Sequence, residues 1–127
     1  MSTRDPARIA AFLPHIIDAA QRIAAYTAVM DQAAFEASRI TQDAVIRNLE
    51  IIGEASNNIA RHAPEFAELH GSVPWAAAYQ MRNVLAHAYD KVDLPLVWQT
   101  LQRDIPNLRN AVAVLLDSLN PTYGSCA

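Results

Sequence analysis

Between Leu94 and Leu119 the apolar residues Leu94, Trp98, Leu101, Ile105, Leu108, Val112, Leu115 and Leu119 follow one another in alternating steps of four and three. That spacing keeps one apolar stripe along a single side of a long helix, and the stripe is stable only against other helices with apolar faces of their own. Asp93 and Pro95 supply a start signal and Asn120-Pro121 a stop. Pro106 falls within the seam, so the carbonyl of Gln102 is expected to lose its partner and the helix to bend there.

The rest of the chain repeats the helical period, and no stretch alternates apolar and polar residues between turn signals as a strand would. A first helix is predicted from about Pro6 to Val29. Asp5 is its cap, Ile9, Phe12, Ile16, Ala20 and Ile23 form its apolar stripe, and Pro14 either kinks it or delays its start. A short helix over Asp31 to Ser38 leads to a long one over about Arg39 to Arg61, with Val45, Leu49, Ile52 and Ile59 facing the core. Gly53 costs that helix about 1 kcal/mol relative to Ala; with Ser56 and Ala60 it makes a small-residue strip that would admit a close neighbour. His62 to Pro74 reads as a connection containing one helical turn at Glu65 to Leu69. A fourth main helix is predicted from Pro74 or Trp75 toward Tyr89, followed by the polar turn Asp90-Lys91-Val92-Asp93. The expectation is an all-α bundle of about five helices in one domain over residues 1–127, with an ordered core over about 5–119 and a flexible C-terminal tail.

A chain of 127 residues that is 52% hydrophobic can bury one such core without staples. No apolar run is long enough to span a membrane, and the first residues lack the basic and apolar stretches of a signal peptide, so a cytoplasmic location is expected. The single cysteine, Cys126, can form neither an internal disulfide nor a metal cluster and reads as a solvated tail residue. A formal net charge of −3 excludes a protein that coats nucleic acid through bulk electrostatics; any RNA contact must be local.

The chemistry-bearing segment is Arg82-Asn83-Val84-Leu85-Ala86-His87-Ala88-Tyr89. RNA cleavage without a metal needs a group that exchanges protons near neutral pH and a fixed cation for the charge growing on phosphate. His87 and Arg82 are residues of those two types, and Asn83 can donate to the phosphate or hold the imidazole in one tautomer. An undistorted helix turns about 100° per residue, which returns Tyr89 to nearly the face of Arg82 but leaves His87 about 140° away. Either the helix ends or bends near Ala86, or the site is completed by a second subunit across a two-fold axis.

Other candidates have plainer readings. Glu54 follows Arg47 by two helical turns, so the pair lines a cleft or merely interacts through solvent. Trp75 and Trp98 read as core residues, and Tyr26, Tyr79 and Tyr123 as packing or tail residues. His15, His62 and His70 lack the spacing of a metal site and read as surface or capping residues, so neither metal nor cofactor is expected.

The segment resembles the Rx4HxY motif of HEPN domains of the HepT-like toxin type. The likeness extends to Arg47-Asn48-Leu49-Glu50-Ile51-Ile52-Gly53-Glu54-Ala55 and to Val92-Asp93-Leu94 through Trp98. It covers most of the chain, from the first helix to Leu119. The resemblance implies a HEPN-like helical bundle that forms homodimers with a shared cleft. It implies a metal-independent endoribonuclease, the toxin of a type VII-like toxin–antitoxin system, with Arg82, His87 and Asn83 as catalytic residues. It also implies an MntA-type nucleotidyltransferase antitoxin that transfers AMP to Tyr89. Pairing across a two-fold axis would let two copies of Arg82, with Arg47 or Lys91, make a small positive cleft on an acidic surface. The alternative in the same family is a non-catalytic HEPN partner that binds or presents substrate to a nucleotidyltransferase.

Overall fold

A computed structural model describes residues 9–80 and 93–119, and every regular element among them is helical. The helices with both ends described are α1 (Phe12–Thr27), α2 (Gln32–Ala37), α3 (Arg39–His62), α4 (Pro64–Leu69) and α5 (Leu94–Leu119). Residues 75–80 are helical as well.

Local chemistry sets these boundaries. Asp31 accepts from the Ala34 N–H at 2.8 Å and so caps α2. Ser38 closes α2 and opens α3, its backbone N–H donating to Phe35 O at 3.2 Å and its hydroxyl accepting from Thr41 N–H at 3.3 Å. One residue thus makes the corner between two helices. Gln42 fastens the same corner, its side-chain amide nitrogen Nε2 donating to the carbonyls of Phe35 and Glu36 at 3.0 Å each. Pro64 stands in the first turn of α4, where its missing N–H costs nothing. Asp93 accepts from Leu96 N–H at 3.1 Å at the head of α5.

The first helix differs from expectation at its start. Residues 9–10 are helical, Ala11 is a turn, and α1 is continuous only from Phe12. Pro14 explains the break, because it has no N–H for the Ala10 carbonyl and its ring crowds that same group. Pro106, in contrast, lies inside α5, which continues past it to Leu119.

Helix α3 packs against α1, α2 and α4. Helix α1 packs along it more extensively than any other pair of described elements, α5 packs on α1, and α2 bridges α3 and α5. The core contains Leu13, Ile16, Ala20 and Ile23 from α1, Val45, Leu49, Ile52 and Ile59 from α3, and Leu101, Ile105, Leu108, Val112 and Leu115 from α5. The expected α5 seam is therefore buried through its middle. Near its head Val97 is the buried residue, while Leu94 and Trp98 are only half-buried. The Trp98 ring lies 5.4 Å from the fully buried Phe35 ring, a tilted aromatic pair that docks α2 on α5.

Trp75 is buried, and its indole N–H is shared between the carbonyls of Ala67 and His70 at 3.1 and 3.2 Å. This ties the start of the 75–80 helical segment back to α4. Trp75 is thus a core residue as expected, whereas Trp98 packs half-buried against the edge of the core. Tyr26 and Tyr79 are more exposed than a packing role would make them.

Candidate functional site

At about 100° per residue, positions 45, 49, 52, 56 and 59 of α3 lie on one side, and 47, 50, 54 and 58 lie on the other. The structure follows that division. Val45, Leu49, Ile52, Ser56 and Ile59 are buried, whereas Arg47, Glu50 and Glu54 are exposed. Helix α1 runs beside the polar side and contributes Phe12 and His15. Together they border an open, solvent-facing cleft of about 370 Å³ lined by Phe12, His15, Arg47, Glu50, Ile51, Glu54, Ala55 and Asn58.

Arg47 and Glu54, paired by their spacing in the sequence, are thus brought to one cleft. Arg82, Asn83, His87, Tyr89 and Lys91 lie outside the described residues. His15, Glu50 and Asn58 were not singled out for this cleft by sequence. For Glu50 and Asn58 the signal was present, because both continue the Arg47 and Glu54 face at helical spacing. His15 comes from a different helix, so its arrival depends on how α1 seats on α3. It also borders an adjoining hollow with Pro14, Ile17, Asp18, Gln21 and Leu116.

The cleft has a mixed character. Phe12 and Ile51 are half-buried and Ala55 is buried, so the floor is apolar. Among the described residues, the polar side chains on the rim are those of His15, Arg47, Glu50, Glu54 and Asn58. The ion pairs with both partners described are Arg22–Asp18 at 3.0 Å and Arg39–Asp43 at 4.0 Å, each exposed and between successive turns of one helix. Neither involves Arg47, and such exposed pairs contribute little to stability.

Two polar atoms of α3 are buried without a hydrogen-bond partner: Asn48 Oδ1 and Ser56 Oγ. The Asn48 amide nitrogen is satisfied, donating to the Ala44 carbonyl at 2.9 Å. Gly53, the residue that should admit a close neighbour, is buried, and so is Ser56 of the same strip.

Among the described residues, no group of three or more His, Cys, Asp and Glu side chains is placed to hold a metal ion. No described helix is long and apolar enough to cross a membrane. His62 is exposed in the last turn of α3, and His70 closes α4 with its N–H donating to Phe66 O at 3.0 Å and its ring 4.6 Å from that of Phe66. These are the surface and capping positions expected of them.

The family description "Ribonuclease HepT-like" matches residues 16–115, a span that includes the Arg82–Tyr89 motif and most of the bundle. The chain is 42% identical over 98 residues to a protein of Thermococcus cleftensis named "Probable ribonuclease HepT", covering 77% of this chain and 86% of that one. It is 36% identical over 115 residues to a "Putative RNase" of Methanocaldococcus jannaschii, covering 91% of this chain and all of that one. A third relative, also from M. jannaschii, bears the name "Gamma-glutamylcyclotransferase and putative RNase". Identity to it is 37% over 109 residues, covering 86% of this chain but only 48% of the relative, so this chain spans about half of its length. No solved structure matches the chain significantly. With a family match from α1 into α5 and relatives matched over most of their own length, the chain belongs to the HepT-like ribonuclease family.

Proposed function

We propose that this protein is a metal-independent endoribonuclease that cuts RNA through Arg82 and His87, acting as the toxin of a type VII-like toxin–antitoxin pair. The observation that carries the reading is the Arg82-x4-His87-x-Tyr89 motif lying whole within the segment that matches the HepT-like family. One HEPN domain over residues 1–127, working in the cytoplasm, accounts for the activity.

The chemistry follows from the residue types. His87 as base removes the proton of a ribose 2′-hydroxyl, and the 2′-oxygen attacks the adjacent phosphorus. The bond to the 5′-oxygen breaks, and that oxygen leaves with a proton delivered by an imidazolium or by water. The products are a 2′,3′-cyclic phosphate and a free 5′-hydroxyl. Arg82 holds the extra charge on the non-bridging oxygens, and Asn83 assists by donating a hydrogen bond. A straight helix would separate Arg82 from His87 by about 140°, so a homodimer that pairs Arg82 of one copy with His87 of the other satisfies the geometry.

An MntA-type nucleotidyltransferase antitoxin transfers AMP from ATP to Tyr89: the phenolic oxygen loses its proton and bonds to the α-phosphorus, and pyrophosphate leaves. The added phosphodiester puts a negative charge beside Arg82, where the RNA phosphate would bind, and repels the RNA backbone. Tyr89 is then a control point and not a catalytic residue.

The test is incubation of unmodified protein with total RNA in excess EDTA, alongside Arg82→Ala and His87→Ala. Fragments with the wild type alone support the reading. Intact RNA in every lane, with protein folded and Tyr89 unmodified, would replace it with a non-catalytic HEPN partner that presents substrate to a nucleotidyltransferase.

A further inference from the structure

We propose that the hollow between α1 and α5 is a binding site for a short-chain aliphatic carboxylate, whose chain lies on apolar residues of both helices and whose charge meets Arg109. Such a site serves a ligand other than RNA and stands or falls independently of the ribonuclease reading.

The hollow follows from side-chain size. On α1, Ala20, Ile23, Ala24 and Thr27 follow one another in steps of three, one and three, and on α5 Leu101, Ile105 and Arg109 in steps of four, so each set lies along one side of its helix. Where the two sets meet, the alanines are too short to reach across, and a gap of about 130 Å³ remains beside Pro106. Ala20, Ile23, Leu101 and Ile105 are buried and make an apolar floor. Ala24 and Pro106 are exposed and mark the mouth. A water held in such a gap needs two to four polar partners. The floor offers none from its side chains, and the Thr27 hydroxyl already donates to the Ile23 carbonyl at 2.9 Å. An aliphatic chain suits the gap better than water does. The volume is room for roughly ten water-sized groups, enough for a carboxylate of about six carbons.

Arg109 sets the charge of the occupant. It is half-buried at the edge of the hollow. The positions three and four residues before and after it are Ile105, Pro106, Val112 and Ala113, so its own helix offers no carboxylate at pairing distance. Asp18, the one acidic residue of α1, is held by Arg22 at 3.0 Å. Among the described residues Arg109 enters no hydrogen bond or ion pair. A guanidinium has five N–H donors and no acceptor, and it grips a carboxylate through two parallel bonds. Inorganic phosphate meets the same donors but leaves the apolar floor uncovered, and a neutral alcohol covers the floor but leaves the cation unmet. An aliphatic carboxylate does both.

The test is an NMR titration of the full-length protein with butanoate, hexanoate, decanoate, hexanol and inorganic phosphate. Affinity should rise about fourfold per methylene from butanoate to hexanoate and gain nothing further at decanoate, because the hollow is then full. Hexanoate should bind at least about tenfold more tightly than hexanol or phosphate, with amide shifts centred on Ala24, Thr27, Ile105 and Arg109. Arg109→Gln should remove the preference for hexanoate over hexanol. Ala24→Leu, a change at an exposed position that fills the mouth, should block both ligands without altering the circular dichroism spectrum. Phosphate or hexanol binding as tightly as hexanoate would overturn the proposal. So would a preference that survives Arg109→Gln, or affinity that keeps rising through decanoate as in general adsorption to apolar surface.

Discussion

Helix α3 has two sides that obey different rules. On one, Val45, Leu49, Ile52 and Ile59 are buried against α1 and the other helices of the bundle; on the other, Arg47, Glu50 and Glu54 stand in a solvent-facing cleft. The buried side is fixed by apolar area removed from water, at about 25 cal/mol per Å². The exposed side contributes little to folding, since charges that stay in water gain little from pairing. The same helix therefore separates what the fold needs from what a ligand can use, and substitutions should sort by side.

Ile52→Ala should show the largest effect, because Ile52 is fully buried and the truncation leaves a cavity: a loss of about 2–5 kcal/mol, measured by urea unfolding. A loss under about 1 kcal/mol would mean that the Ile52 side of α3 is not tightly packed in the core. Asp31→Ala removes the cap of α2 and should cost about 1 kcal/mol in the same assay. Ser56→Ala should run the other way, with a gain of about 1 kcal/mol, because the Ser56 hydroxyl is 0% exposed and its oxygen has no partner. A loss on that substitution would show that the hydroxyl is satisfied in the folded protein and would blur the division of α3. Glu50→Gln, on the exposed side, should leave stability within about 0.5 kcal/mol of the wild type. A larger change there would make the polar face part of the folding machinery.

How much of this was legible in the sequence depended on whether the deciding interaction was local. Asp31, Ser38, Pro64 and Asp93 act within a turn of their own position, and the helix ends they set came out within a residue or two of expectation. Pro14 was flagged as an obstacle, and it moved the continuous start of α1 to Phe12. The middle of the α5 seam was readable because its regular spacing keeps Leu101, Ile105, Leu108, Val112 and Leu115 on one buried side. At its head the aromatic contact with Phe35 holds Trp98 at the edge and leaves Val97 inward, a matter of tertiary packing that spacing does not encode.

The same distinction applies to the site. Arg47 and Glu54 share a helix face, so their spacing alone placed them together. His15 reaches that cleft from another helix, and no pattern within α1 marks it. Asn48 and Asn57 are buried on α3 although asparagine usually prefers water; for Asn48 the bond from its amide nitrogen to the Ala44 carbonyl offsets only part of the cost, since its Oδ1 has no partner. The motif residues were found through their resemblance to a family, and the family match spans them.

The central claim is that catalysis resides in Arg82 and His87 and is separable from folding. The most direct test measures RNA cleavage in excess EDTA and urea unfolding on the same preparations of wild type and His87→Ala. The account predicts at least about a hundredfold loss of cleavage, the scale of a removed general acid–base group, in a variant that still unfolds as one cooperative unit. Cleavage at the wild-type rate by His87→Ala would contradict it.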